Sequence, residues 1–230
     1  MDTVLKFEPH LVSGARDVVA EANHRIANSL TLLVGMVRMQ AISIKKNSSP
    51  MTSAEVRLLL DGVAARINII AQLHRLLSHT ADDGVISLRS HLQEITDAFV
   101  GGLSSPEQMA RVVHTGCDCM VQMRQVQPIM LILCEIFINA MKYAHPAGMP
   151  LVMTVDCNVG TDGILTLTIS DDGVGLPEGY DPQKTGGMGI RVMRSLAAEI
   201  GAELQVQSTH LGLTTRLSLP ASAMSGAKLA

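Results

Sequence analysis

Glu135-Ile136-Phe137-Ile138-Asn139-Ala140-Met141-Lys142-Tyr143-Ala144 is the stretch on which the reading of the chain turns. Three polar side chains stand in an otherwise apolar run. Glu135 and Asn139 lie four residues apart and Lys142 three further, so on a helix all three share one face. A carboxylate, an amide and an ammonium are costly to bury without partners. A magnesium–phosphate group would satisfy them together, because an amide oxygen is a hard ligand for Mg2+ and an ammonium suits phosphate oxygens.

Two more elements follow in order. Asp171-Asp172-Gly173-Val174-Gly175 comes directly after an apolar strand pattern, and its glycines allow a tight turn and a close backbone approach. A carboxylate at such a strand end can accept a hydrogen bond from an exocyclic amino group such as that of adenine. Gly186-Gly187-Met188-Gly189 then precedes an amphipathic helix and offers backbone N–H groups and a helix N-terminus to phosphate. Each element alone is an ordinary turn. Their order and spacing make them a set.

Upstream, the grammar is helical. Ile26, Leu30, Leu33, Val37, Gln40 and Ile44 are spaced as a heptad seam that stops at Lys45-Lys46-Asn47-Ser48-Ser49-Pro50. Thr52-x-x-Glu55 is a capping box opening a second helix, with a seam of Val56, Leu59, Val63, Ile67, Ile70, His74 and Leu77. Two antiparallel amphipathic helices leave apolar faces over, so a second copy completing a four-helix bundle is expected through residues of roughly 15–80. Packing on the chain's own remainder is the other solution.

Ala81-Asp82-Asp83-Gly84 reads as a linker. Beyond it the pattern predicts a helix over Leu88–Val100, a strand near Arg111–Met120, and a helix with Pro128 in its first turn running to Ala144. Strands are expected over Leu151–Asn158, Gly163–Ser170, Leu204–Ser208 and Thr214–Leu219. The fold class is therefore α+β: a helical hairpin over 1–80, then an α/β sandwich over 85–222.

Composition narrows the function. Aromatic residues are 2% of the 230, with no Trp, so the core is aliphatic and Met-rich and stacking platforms for single-stranded nucleic acid are excluded. A net charge of −3 gives no general attraction to nucleic acid or anionic membrane. The most apolar run, Ile129–Met141, holds Glu135 and Asn139 and falls short of the roughly 20 residues of a spanning helix. The N-terminus has no signal-peptide layout, and a cytoplasmic location is expected. The four cysteines lack metal-ligand spacing and are expected to be reduced thiols.

The three elements resemble the N, G1 and G2 boxes of the ATPase fold shared by gyrase, histidine kinases and MutL-type mismatch-repair proteins, over about residues 85–220. The resemblance implies ATP and Mg2+ as cofactors. It implies that Asn139 holds the metal, that Lys142 serves the phosphates and that Asp171 reads adenine beside Gly173 and Gly175. Gly187 and Gly189 would line the phosphates, with Leu176–Thr185 as a lid. Within that group, Glu21-x-x-His24-Arg25-x-x-Asn28 resembles the phosphoacceptor segment of the histidine-kinase subclass with a His-Arg-x-x-Asn helix. Glu21, His24 and Asn28 fall off the seam, where a mobile ATP domain can reach an imidazole, whereas His74 lies on it. The usual Lys-Asn pair is here Ala27-Asn28-Ser29, lacking one cation and one amide.

The activity implied is autophosphorylation of His24 and transfer to an aspartate of a response-regulator receiver domain. Glu135 is the better candidate for a polarising or base role, with Glu21 as a second. Alternatives are a phosphotransfer hub or phosphatase with a retained ATP-type domain, and a serine-kinase module of the same ATP fold. No sensor domain is readable in these residues, and a separate sensor protein or the bundle itself is expected to supply the input. Asn28 stands one turn after His24 and is suited to positioning water for regulator dephosphorylation. Asn28→Ala is expected to slow that reaction while sparing autophosphorylation; an unchanged dephosphorylation rate removes the role.

Overall fold

Thr52 and Glu55 open the first fully described helix, α1 (Ser53–Leu77), as a reciprocal cap. The Thr52 N–H donates to Glu55 Oε2 at 2.7 Å and the Glu55 N–H donates to Thr52 Oγ1 at 3.2 Å. The computed structural model describes residues 51–77, 84–103, 109–145, 149–180 and 188–221, and before them positions 27, 30, 31, 33–35, 37, 38, 41 and 42, which are helical. Glu21, His24, Asn28 and Gly187 lie outside the described residues, as do residues 81–83 of the linker and part of the expected lid.

After the linker come β1 (Val85–Ser87), α2 (Leu88–Leu103), β2 (Ala110–Gly116), β3 (Met120–Gln122) and α3 (Met123–Tyr143). Then follow β4 (Leu151–Val159), β5 (Ile164–Asp171), α4 (Met188–Glu199), β6 (Glu203–Thr209) and β7 (Gly212–Pro220). The strands form a five-stranded sheet in the order β2-β4-β5-β7-β6 and a separate β1-β3 ribbon. Among the described strands, β2 and β4 run parallel and the other pairs antiparallel. In β4, Leu151, Met153, Val155 and Cys157 alternate inward and are buried, which leaves one face of the sheet for the helices.

The α/β sandwich over the C-terminal part is thus observed, with α2, α3 and α4 as its helical layer. Leu88, Leu92, Ile95 and Phe99 place one stripe of α2 in the same core as α3. Two local expectations need correction. The expected strand Arg111–Met120 is split: β2 ends at Gly116, and β3 leaves the main sheet to pair with β1. The third helix starts at Met123, which puts Pro128 beyond the first turn expected for it. Gln125 caps that start, accepting the Gln122 N–H at 2.9 Å.

The earlier start also makes α3 long and apolar enough to cross a membrane by composition, unlike the shorter run read from sequence. Most of it is buried as the central helix of the core. A further correction concerns the cysteines. Cys119 and Cys157 are joined in a disulfide, with the exposed Cys117 Sγ 3.6 Å from Cys119 Sγ. Only Cys117 and Cys134 are free, and burial pushes the Cys134 thiol far up.

Helix α1 packs on α3 and α2 through the stripe of Gly62, Arg66 and Ile70. Its seam is only partly covered: Val56 and Ile67 remain 40% and 50% exposed. Phe137, the largest fully buried side chain of α3, stacks on Phe99 with ring centroids 4.8 Å apart. Phe137→Ala is expected to cost about 3–5 kcal/mol in urea unfolding. Leu211→Ala, at a position 72% exposed, should stay within about 0.5 kcal/mol of the parent.

Candidate functional site

Burial of α3 on almost every side forces its polar residues to find partners. Glu135 is 5% exposed and its partner is Arg66 of α1, whose Nε donates to Glu135 Oε1 at 2.6 Å. The sequence offered no such partner; Arg66 is an ordinary residue on an amphipathic helix until α1 docks. Removing one member of a buried pair typically costs about 3–5 kcal/mol, because the other charge is left uncompensated. The guanidinium is disfavoured by burial, yet the Glu135 hydrogen bond and charge hold its pKa above the ordinary value. One guanidinium nitrogen, Nη1, is buried with no hydrogen-bond partner.

Asn139 and Lys142 continue the same face, both half-buried. Burial, reinforced by repulsion from Arg66 and opposed by Glu135, holds the Lys142 ammonium below the ordinary lysine range. The first turn of α4 closes over this face. A Cβ on Gly189 would sit 3.1 Å from Asn139 Nδ2 and 3.4 Å from Glu135 Oε2. The N-box carboxylate therefore faces Arg66 with one oxygen and the start of α4 with the other.

The second element closes on the far end of α3. At the end of β5, Asp171 Oδ1 accepts the Gly173 N–H at 3.0 Å and the Leu213 N–H at 3.2 Å. The Val174 N–H donates to Ala144 O at 2.9 Å, seating the turn on the last residues of the helix. A Cβ on Gly173 would fall 2.5 Å from Ala144 Cα, so only glycine permits the approach. The room gained at Gly173 is taken by the protein's own backbone. Gly175 lies likewise against the Thr209 carbonyl, and the Leu176 N–H donates to Ser208 Oγ at 2.7 Å.

The neighbouring pair is one that spacing along the chain does not reveal. His145 Nε2 lies 2.7 Å from Asp172 Oδ1, which also accepts the Val152 N–H at 3.0 Å. Burial acts against the Asp172 charge, but these hydrogen bonds outweigh it and hold the carboxyl below its usual range. Asp171 behaves oppositely: burial outweighs its two backbone hydrogen bonds and raises it. Two adjacent carboxyls are thus driven apart by their surroundings.

The structure brings Glu135, Asn139, Lys142 and Gly189 into one group, and Asp171, Gly173 and Gly175 into a second. Helix α3 links them. Among the described residues no group of three or more His, Cys, Asp or Glu side chains can hold a metal. The donor set at the N box, one amide and one carboxylate, suits Mg2+ held jointly with phosphates, since that ion usually keeps one or two protein ligands in such sites.

The raised Asp171 value has a definite sign. Folding favours the protonated form, so the ionised carboxylate opposes folding at neutral pH. That opposition fades as pH falls through the raised value toward about 3.9, the ordinary value. Asp171→Asn is expected to raise the urea midpoint of the nucleotide-free protein at pH 7 and to lose that advantage near pH 3. An advantage that persists undiminished at pH 3 contradicts the burial account.

Comparison with known proteins is consistent along the chain. Residues 21–101 match a family model described as histidine kinase, and residues 104–219 one described as histidine kinase-like ATPase domain. The blue-light-activated histidine kinase 2 of Erythrobacter litoralis is 26% identical over 211 residues, which are 89% of this chain and 57% of that protein. The sensor histidine kinase PdtaS of Mycobacterium tuberculosis is 26% identical over 84% of this chain and 37% of its own length. The chain therefore spans roughly half or less of these relatives. In fold, it superposes on the histidine kinase domain of an Erythrobacter litoralis blue-light activated histidine kinase with a TM-score of 0.65 at 24% identity, covering 93% of this chain and 95% of that one. Its two segments, a histidine-kinase helical region and the ATPase domain after it, make this chain a member of the histidine kinase family.

Proposed function

We propose that the chain is an ATP-dependent protein-histidine autokinase that phosphorylates His24 and hands the phosphoryl group to an aspartate of a response-regulator receiver domain. The observation that carries this reading is the meeting of Glu135 and Asn139 with Gly189 at the start of α4, on the helix whose end seats the Asp171 turn. Two groups of residues joined through α3 support phosphate chemistry at one and adenine recognition at the other. His24 enters from its sequence setting, within the segment matched to the histidine kinase model.

In the reaction, a neutral ring nitrogen of His24 forms a bond to the γ-phosphorus of ATP. The bond from that phosphorus to the β–γ bridging oxygen breaks, ADP departs, and the imidazole proton passes to a base. Little covalent work falls to the protein, so positioning and charge neutralisation dominate. Asn139 would hold Mg2+, which neutralises charge on the phosphate oxygens when bound. Lys142 supplies a cation to the same oxygens. Asp171, with Oδ1 engaged by Gly173 and Leu213, offers its other oxygen to the adenine amino group. Glu135 polarises the nucleophile or accepts its proton, and Glu21 is the second candidate for that role.

The partly uncovered seam of α1 supports a homodimer through the helical hairpin, since Leu60 is also 59% exposed on that helix. A response regulator and a separate sensor protein are the remaining partners of this reading, with a cytoplasmic location for the reaction. Incubation with γ-labelled ATP tests it. Wild type should acquire acid-labile, base-stable phosphate, while His24→Ala and Asn139→Ala should fall to background. Label retained in His24→Ala overturns the assignment of the acceptor.

A further inference from the structure

Arg66 sits where the helical hairpin meets the ATP domain, and its contact is with the carboxylate to which the proposed reaction assigns a polarising role. The ion pair is dry on both sides, with the side chains 4% and 7% exposed. Room for the guanidinium comes from Gly62, one turn earlier. A Cβ there would lie 3.2 Å from Arg66 Nη1 and 3.3 Å from Ile138 Cδ1. Among the described residues the Glu135 carboxylate is the acceptor Arg66 has, and Nη1 has none.

A buried ion pair is a poor cohesive device, because well-packed apolar residues of the same volume hold two helices at least as well. What it adds is conditionality. The α1–α3 contact is tolerable only while Glu135 remains committed to Arg66. If Glu135 turns to a metal–phosphate group at the start of α4, Arg66 becomes a buried cation with no counter-charge. The helix carrying it is then driven off α3.

We propose that Arg66 is a positioning residue that couples the two parts of the chain: docked, it withholds Glu135 from phosphoryl transfer, and nucleotide engagement of Glu135 releases α1. This rests on the reading of Glu135 as part of the transfer site. Nucleotide binding and α1 docking then oppose one another, and the opposition is reciprocal. Release of α1 from α3 also frees the ATP domain to move relative to the segment that contains His24. Among the described residues, the other titratable groups near the pair are Lys142, two turns further along α3, and the buried Cys134 thiol, which stays protonated and uncharged.

Arg66→Met keeps most of the length and packing while deleting the charge. It is expected to autophosphorylate at least about fivefold faster than wild type and to bind ADP·Mg2+ tighter by a similar factor, the lower end of ordinary coupling between sites. A rate and affinity equal to or below wild type overturn the proposal. Arg66→Lys, which keeps a cation, should return both toward wild type; a merely structural arginine would not show that pattern. Should Arg66→Met fail to fold, wild-type protein answers the same question. Backbone amides of α1 should exchange faster with deuterium when ADP·Mg2+ is added, and unchanged exchange across Ser53–Leu77 overturns the coupling. Glu135→Gln isolates the underlying reading: full labelling in that variant removes Glu135 from the transfer site, whatever Arg66 does.

Discussion

A helix buried on nearly every side cannot carry a carboxylate for free, and that constraint organises the molecule around α3. Its apolar residues fill the space between the sheet and the outer helices, and Phe137 anchors α2 by stacking on Phe99. Within that packing Glu135 needs a positive partner and Asn139 a polar one. The first turn of α4 and the docked face of α1 approach from two sides. Fold and site are in this sense the same problem, solved on one helix.

The sheet contributes position rather than chemistry. Antiparallel pairing of β5 with β4 and β7 delivers Asp171 to the end of α3, and the backbone N–H groups of Gly173 and Leu213 fix its Oδ1. Asp171 and Asp172 differ in ionisation tendency for local reasons: one is chiefly desolvated, the other is bonded to His145 and Val152. Tertiary placement creates this difference between neighbours in the chain. Asp172 thereby fastens the end of α3 to the sheet through His145 and Val152, while Asp171 is the one proposed to face the nucleotide.

Much of the arrangement was readable in advance because it depends on spacing along the chain. The capping box at Thr52 and Glu55, the inward alternation of β4 and the amphipathic stripe of α2 follow from local rules. Reading failed where local cues were ambiguous. Pro128 suggested a first helical turn around itself, but the helix capped by Gln125 begins earlier, at Met123. The run Arg111–Met120 looked continuous, yet β3 found its partner in β1, distant in sequence. Cysteine pairing was misread for the same reason, since Cys119 and Cys157 meet only after β4 folds beside β2.

The identity of the polar groups on α3, their common face and the presence of three glycine-marked elements were fixed by residue order, because helical and strand periodicities act over a few residues. Which group neutralises Glu135 was not. Arg66 lies 69 residues away, and nothing within one turn of either residue distinguishes it from other arginines on helices. Only the docking of α1 on α3 removes both charges from water at once, and burial makes their pairing obligatory. The meaning of Gly173 was likewise decided in three dimensions: its missing side chain accommodates Ala144, a contact that spacing along the chain cannot express.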